Sequence, residues 1–331
     1  MGTVKRTRKI TRTFLTGAAL FLSHTKTAYA GINIKDASFS TNFVDLESGQ
    51  FKISRTYDSR STFNGLFGFG WCSNLDRRLL KNTETPDVAI ETCGRRTVFK
   101  AIGERPTQRW SSGTQGYVEI DKGDFVHRTQ DGRLIARYAG PDGGLSALSD
   151  PRGLDVPIQR GQPRRLLRSA ASGEGLRVRL EVDPLANKIL AIETSEARAT
   201  YRYRADDLIE ATNAWNNTYS FRYDSLHNLT EAQYPDKTSE EMSYDADHDR
   251  LLSFKGRNSC IERYEITIAS KTDQRTQKTT AIKSCNEKES SRVAFEFDYR
   301  KKARGAWRLA KLKLSRDGRS NEINYDKGGD L

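Results

Sequence analysis

Few places in this 331-residue chain have residue types and spacings suited to chemistry. The first is RTYDSRSTFNGLFGFGWCSNLDRRL (55–79), which sets Gly65, Gly68 and Gly70 among Tyr57, Phe63, Phe67, Phe69 and Trp71. Glycine-rich loops can cradle phosphates, but GLFGFGW lacks both the helix that follows a Rossmann turn and the G-K-[ST] of a P-loop. It reads as a glycine-relieved corner where backbone passes close to Trp71 and the neighbouring rings. A second place is DADHDR (245–250), where Asp245, Asp247 and Asp249 alternate as calcium ligands do. The glycine a calcium loop needs at its sixth position is Arg250, and the glutamate at its twelfth is Gly256, so a solvated turn is expected instead. His127, His227 and His248 remain, and no nucleophile-elbow context accompanies any of them. No enzyme, cofactor or metal centre is expected.

Cys72, Cys93, Cys260 and Cys285 form an even set without a C-x-x-C or a nearby histidine, so disulfides are favoured over zinc. Of the three pairings, 72–93 and 260–285 fit best, each closing one turn of a local repeat and each adding ~3 kcal/mol. Trp110, Trp215 and Trp307, with thirteen tyrosines, offer aromatic faces that could stack on sugars. Trp215, in the polar turn NAWNN, is the best surface candidate for glycan binding.

The elements that position these residues are strands. In LRVRLEVD (176–183), Leu176, Val178, Leu180 and Val182 share one face; TYSFRYD (218–224) alternates Tyr219, Phe221 and Tyr223 against polar neighbours. Period two with aromatic and β-branched residues predicts half-buried antiparallel strands. They recur at a fixed beat: Tyr203, Tyr223, Tyr244 and Tyr264 lie 20, 21 and 20 residues apart, followed by Leu208, Leu229 and Leu251. Such a period means one hairpin unit repeated as an array, in which neighbours must stack to bury their apolar faces. YDKGGDL (325–331) has the frame Y-D-x-x-G-x-L, carried by Tyr325, Asp326 and Gly329; YDSLHNL (223–229) shares it through Tyr223 and Asp224, with His227 in the glycine position. Asp can cap such a turn and Gly supplies a positive φ. YRADDL (203–208) is one residue short and YDADHDRL (244–251) one long.

This array resembles the tyrosine-aspartate (YD) repeat, or rearrangement-hotspot (Rhs), family. Residues 55–78 resemble that family's N-terminal segment, in which R-T-Y-x-S-R, G-x-x-G-x-G-W and an N-L-D-R-like tail occur together. The resemblance covers about residues 40–331 and implies a long β-sheet that spirals into a hollow shell, enclosing a C-terminal effector in toxin-bearing members. Only the N-terminal segment and the first several repeats are matched here, so neither toxin activity nor self-cleavage carries over.

Charge and the leader complete the expectation. The formal charge of +12 suggests nucleic acid, but residues 1–30 hold six Lys or Arg and no acid. That stretch has a basic start, the apolar run FLTGAALFL (14–22) and Ala28-Tyr29-Ala30 before Gly31, the form of a cleaved secretory signal. Its apolar run is too short to span a bilayer, so no membrane span is expected in the mature chain. Residues 31–331 carry 49 basic against 43 acidic side chains, without a dense basic block, and nucleic-acid binding loses its support.

The expected molecule is all-β: 1–30 signal peptide, 31–130 Rhs-type N-terminal β segment, and 131–331 a degenerate YD-repeat array. Its hairpin repeats of about 20 residues would form a curved or spiralling sheet, a partial Rhs-type shell. Its role is that of an exported scaffold or interaction protein, in the periplasm, at the cell surface or outside. The resemblance links that role to effector delivery or cell-surface contact; the alternative is an extracellular glycan-binding module. The sequence stops at Leu331, the final residue of a repeat motif, which as an expectation fits a truncated gene, a shell completed by a second polypeptide, or self-association through an open sheet edge.

Overall fold

The computed structural model describes residues 29–49, 51–103, 108–139, 143–150, 152, 155–161, 176–302 and 305–325. Every regular element among them is a strand. Three sheets are present, and their roles follow from which side chains alternate inward.

The first sheet is small and antiparallel, in the order Tyr29–Asn33, Ser38–Ser48, Phe51–Asp58 and Trp71–Ser73. Along Phe51–Asp58 the buried positions are Phe51, Ile53, Arg55 and Tyr57, so an arginine occupies a place where alternation demands an apolar residue. The facing strand breaks register between Val44 and Leu46. The extra residue of that bulge is Asp45, and a bulge re-aims the side chain it carries. A second, two-stranded sheet, Asn64–Gly65 with Gly68–Phe69, forms the glycine-rich corner.

The third sheet runs from Arg77 to Asn324. Its first eight strands are Arg77–Lys81, Val88–Thr92, Arg95–Ala101, Arg109–Ser111, Tyr117–Asp121, Asp124–Arg128, Leu134–Ala139 and Gly144–Ser149. They close on themselves where Gly144 pairs with Arg78 and the Leu79 N–H donates to Gly143 O at 2.9 Å. Leu79, Val88, Ile90, Phe99, Trp110, Val118, Ala136 and Tyr138 are buried there, as in a small barrel filled by its own side chains. The sheet leaves the ring through Asp155–Gly161, antiparallel to Gly144–Ser149 and then parallel to Val178–Val182.

From Val178 onward the sheet is an antiparallel meander of repeated hairpins. The register breaks once per repeat, just before the turn: at Glu181/Val182, Arg202/Tyr203, Arg222/Tyr223 and Ser243/Tyr244. After each break the pairing is restored as Val182↔Ile189, Tyr203↔Leu208, Tyr223↔Leu229 and Tyr244↔Leu251. The short and long repeats therefore differ only in the loop beyond a constant pair. Left-handed residues sit in those loops: Asn187, Ala205, His227 (φ 66°) and Asp249. His227 thus adopts the positive φ that a glycine would supply in its place.

Aspartates cap these turns as their side chains allow. Asp183 accepts from the amides of Leu185 and Ala186, Asp224 from Leu226 and Asn228, and Asp245 from Asp247 and His248. Cys72 is joined to Cys93, tying the small sheet to the ring, and Cys260 to Cys285, tying a repeat turn to the end of a long hairpin.

Candidate functional site

The small sheet lies against one face of the meander, and the residues between them form the most specifically built region of the molecule. Phe43 packs edge-on against Tyr219 and Phe221, with ring centroids 5.1 and 5.4 Å away. Trp71 meets Phe221 at 5.3 Å, Phe67 meets Tyr201 at 5.0 Å, and Phe39 meets Phe254 at 5.7 Å. These rings come from successive repeats, so the small sheet is an inner layer that reads the repeat period.

At its centre Arg55 is fully buried, and its Nε donates to Asp45 Oδ2 at 2.9 Å. The guanidinium sits 4.5 Å from the Trp71 ring, 4.9 Å from Phe43 and 5.2 Å from Phe221. Among the described residues its Nη1 and Nη2 have no hydrogen-bond partner, so aromatic faces take the place of acceptors. Burial pushes the Asp45 carboxyl upward and Arg55 pulls it back. The Asp45 bulge is itself held from the repeats, since Ala214 N–H donates to Asp45 O at 2.8 Å.

Around this pair runs a hydrogen-bond ladder. The Tyr203 hydroxyl donates to Ile189 O at 2.8 Å, Tyr223 to Leu208 O at 2.9 Å, and Tyr244 to Leu229 O at 3.1 Å. Each repeat tyrosine therefore satisfies the carbonyl of the apolar residue one hairpin earlier, which gives the tyrosine period its physical cause. The matching amides are met from the inner layer: Ile189 N–H donates to Leu66 O, Leu229 N–H to the Tyr57 hydroxyl and Leu251 N–H to Ala37 O, all at 2.9 Å. Trp71 joins the two systems through Nε1, which donates to the Tyr223 hydroxyl at 2.9 Å. The ladder stops at Tyr264, whose hydroxyl turns to Glu262 at 2.6 Å. Replacing Tyr223 by Phe strips a partner from both Trp71 Nε1 and Leu208 O. We expect a loss of about 2 kcal/mol in urea unfolding with an unchanged circular dichroism spectrum.

The glycines serve close approach. Phe69 N–H donates to Asp206 O at 2.9 Å. A Cβ on Gly68, at φ +96°, would stand 2.3 Å from that same carbonyl oxygen. One on Gly70, at φ +77°, would meet the Tyr57 ring at 2.6 Å. The carbonyl of Gly65 accepts from Lys188 Nζ at 3.0 Å.

Other residues singled out by sequence fall elsewhere. Tyr325 donates its amide to Ala310 O at 2.9 Å, while Asp326 and Gly329 lie outside the described residues, as do residues 1–28 of the leader. Trp215 is 41% exposed in a turn whose amides at Trp215 and Asn217 are capped by Asn213 Oδ1. His227 Nδ1 lies 2.8 Å from Asp207 Oδ1. His127 is buried in the ring, its Nε2 2.8 Å from Gln115 O, and burial holds its pKa below the usual imidazole value. Asp249 accepts from Asn228 Nδ2 at 3.0 Å. Among the described residues no three His, Cys, Asp or Glu side chains are grouped to hold a metal ion, and no helix is long and apolar enough to cross a membrane.

Glu240 is buried and accepts from the Tyr234 hydroxyl at 2.9 Å, and burial raises its pKa above the usual 4.5. Its folded form holds the proton more tightly than the unfolded chain. The stability this gives is complete below pH 4.5 and is lost as pH rises through the raised folded value. Denaturant midpoints followed from pH 4.5 to neutrality should therefore fall more steeply for the native protein than for Glu240→Gln.

Sequence reasoning missed the Arg55–Asp45 pair, although Arg55 in the alternating row Phe51, Ile53, Arg55, Tyr57 was a usable signal. Fold and site together define an all-β protein: a closed ring of strands, a hairpin-repeat sheet, and an inner layer that caps its repeats. Residues 40–99, which hold most of that inner layer, match a family described as Domain of unknown function (DUF6531). The comparison with curated proteins gives no match. Among solved structures, the chain is similar to one in the crystal structure of TcdB2-TccC3, at 10% identity and a TM-score of 0.32, covering 88% of this chain and 20% of that one. It is also similar to one in the Photorhabdus luminescens Tc holotoxin pore carrying a TccC3 mutation, at 11% identity and a TM-score of 0.19, covering 88% and 17%. The chain thus spans a fifth or less of the length of those solved chains.

Proposed function

We propose that the protein is an exported YD-repeat scaffold, one segment of an Rhs-type β-shell, acting by presenting sheet surface to other polypeptides rather than by catalysis. One observation carries this: Arg55, Tyr57 and Trp71, from the R-T-Y and G-x-G-W motifs, all contact the same repeat, at Phe221, Leu229 and Tyr223. The two halves of the motif resemblance are then one structural unit, an inner layer and the wall it lines. Two disulfides support an oxidising compartment, in keeping with a cleaved leader over residues 1–30. The test is affinity purification of the tagged protein from its native host, with sequencing of the DNA beyond codon 331. Recovery of a polypeptide bearing further YD repeats is expected. A protein that emerges alone, with no repeat-coding sequence nearby, would overturn the shell.

A glycan-binding module is the second candidate, favoured by the exposure of Trp215 in a polar turn. Binding on a glycan array that disappears in Trp215→Ala would establish it, and an array without hits would remove it.

A further inference from the structure

We propose that the apolar face of the five C-terminal strands is a docking surface for an acidic, extended polypeptide segment of another chain; this rests on the scaffold role proposed above and names the partner's chemistry. The strands are Ile261–Ser270, Gln274–Cys285, Lys288–Lys301, Trp307–Arg316 and Arg319–Asn324. Pairing sets two rows of side chains across them on one face. The first is Ile268, Gln277, Phe297, Leu312 and Ile323, and the second is Ile266, Thr279, Phe295, Leu314 and Asn321.

Cover changes sharply along the first row. Gln277 and Phe297 are buried at 5% and 6% exposure, whereas Ile268 and Ile323 are 38% and 41% exposed. The cover comes from the turn between Tyr29–Asn33 and Ser38–Ser48: the Gln277 side-chain amide donates to Lys35 O, and the Lys35 ammonium stands 5.6 Å over the Tyr299 ring. Beyond that turn Phe295, Leu312 and Leu314 are half-buried. The surface is therefore continuous with the one that the inner layer occupies over the preceding repeats, and its layer ends partway across. Exposed apolar side chains grouped on one sheet face mark a contact with another surface.

Charge selects the occupant. Residues 261–325, both faces and turns together, hold 16 Lys and Arg against 9 Asp and Glu, so the segment as a whole is basic. Lys35 and Arg275 flank Tyr299 on this face, and neither forms an ion pair among the described residues. A second copy of the chain would bring the same positive charge against it, so self-association is disfavoured and an acidic partner is drawn in. Shape selects an extended chain. Among the described residues, the register of Arg319–Asn324 is with Trp307–Arg316 alone, and its other edge offers the main-chain groups that an added strand takes.

The test uses the chain from Gly31, disulfides intact, and labelled peptides of alternating Val and Glu, alternating Val and Lys, and alternating Ser and Glu, read by fluorescence anisotropy. The Val-Glu peptide should bind and the other two should not. Phe295→Thr with Leu314→Thr should weaken that binding about tenfold, as lost apolar cover implies, whereas Lys313→Thr on the opposite face should leave it unchanged. Ile268→Thr with Ile323→Thr, at exposed positions, serves as the second apolar variant if the first fails to fold. Equal binding of the Ser-Glu or Val-Lys peptide, no binding of the Val-Glu peptide, or indifference to the apolar variants would overturn the proposal. A protein that co-purifies with a repeat-bearing polypeptide yet ignores the Val-Glu peptide keeps its scaffold role and loses this docking surface.

Discussion

Replacing Arg55 by Met should lower the unfolding free energy by about 3–5 kcal/mol, because it leaves the Asp45 carboxylate buried without its partner. Asp45 is 1% exposed, and no solvent can take over from the guanidinium. The apolar volume of Met fits among Trp71, Phe43 and Phe221, so lost packing contributes little and the stranded charge dominates. That distinction has a pH signature. Burial already raises Asp45 above 3.8, and loss of Arg55 raises it further. The variant's folded state then takes up a proton that its unfolded state does not, so its deficit shrinks on acidification and grows as pH rises through that raised value. Arg55→Met combined with Asp45→Asn should recover most of the loss at neutral pH. A deficit independent of pH, and unrelieved by the second substitution, would locate the cost in packing instead.

Trp71→Ala is expected to cost a similar 3–5 kcal/mol, through the cavity left by a fully buried indole. Two further effects add to it: the Tyr223 hydroxyl loses its donor, and the Arg55 guanidinium loses its nearest aromatic face. Because Arg55 and Trp71 touch, their losses should not add. A double variant losing markedly less than the sum in denaturant unfolding would measure that coupling. Strict additivity would show that the two residues stabilise the layer independently.

The repeats were legible in sequence because each carries a pair whose roles are local. Tyr203 and Leu208, or Tyr244 and Leu251, face each other across a turn whatever the loop between them, so one residue gained or lost leaves the beat intact. Strand alternation was legible for the same reason, as in Tyr219 and Phe221, both buried. The corner at Gly68 and Gly70 was legible as close packing, though not its partner, since Asp206 lies far along the chain. Ring closure left no pattern, as it rests on the short meeting of Gly144 with Arg78. The Arg55–Asp45 pair was hidden because Asp45 turns inward only through a bulge, and no periodicity announces one.

The inner layer also imposes a timetable on synthesis. Tyr57 is made early, yet the amides it and its neighbours satisfy belong to Ile189, Leu229 and Leu251. At roughly 5–20 residues per second, about 10–40 s separate Tyr57 from Leu251 on the ribosome. Until Tyr219, Phe221 and Tyr223 are made, Arg55, Trp71 and Phe43 have no wall to close against. Contacts of such long sequence separation also form slowly once the chain is complete. The inner layer therefore gains these contacts only once its repeats exist.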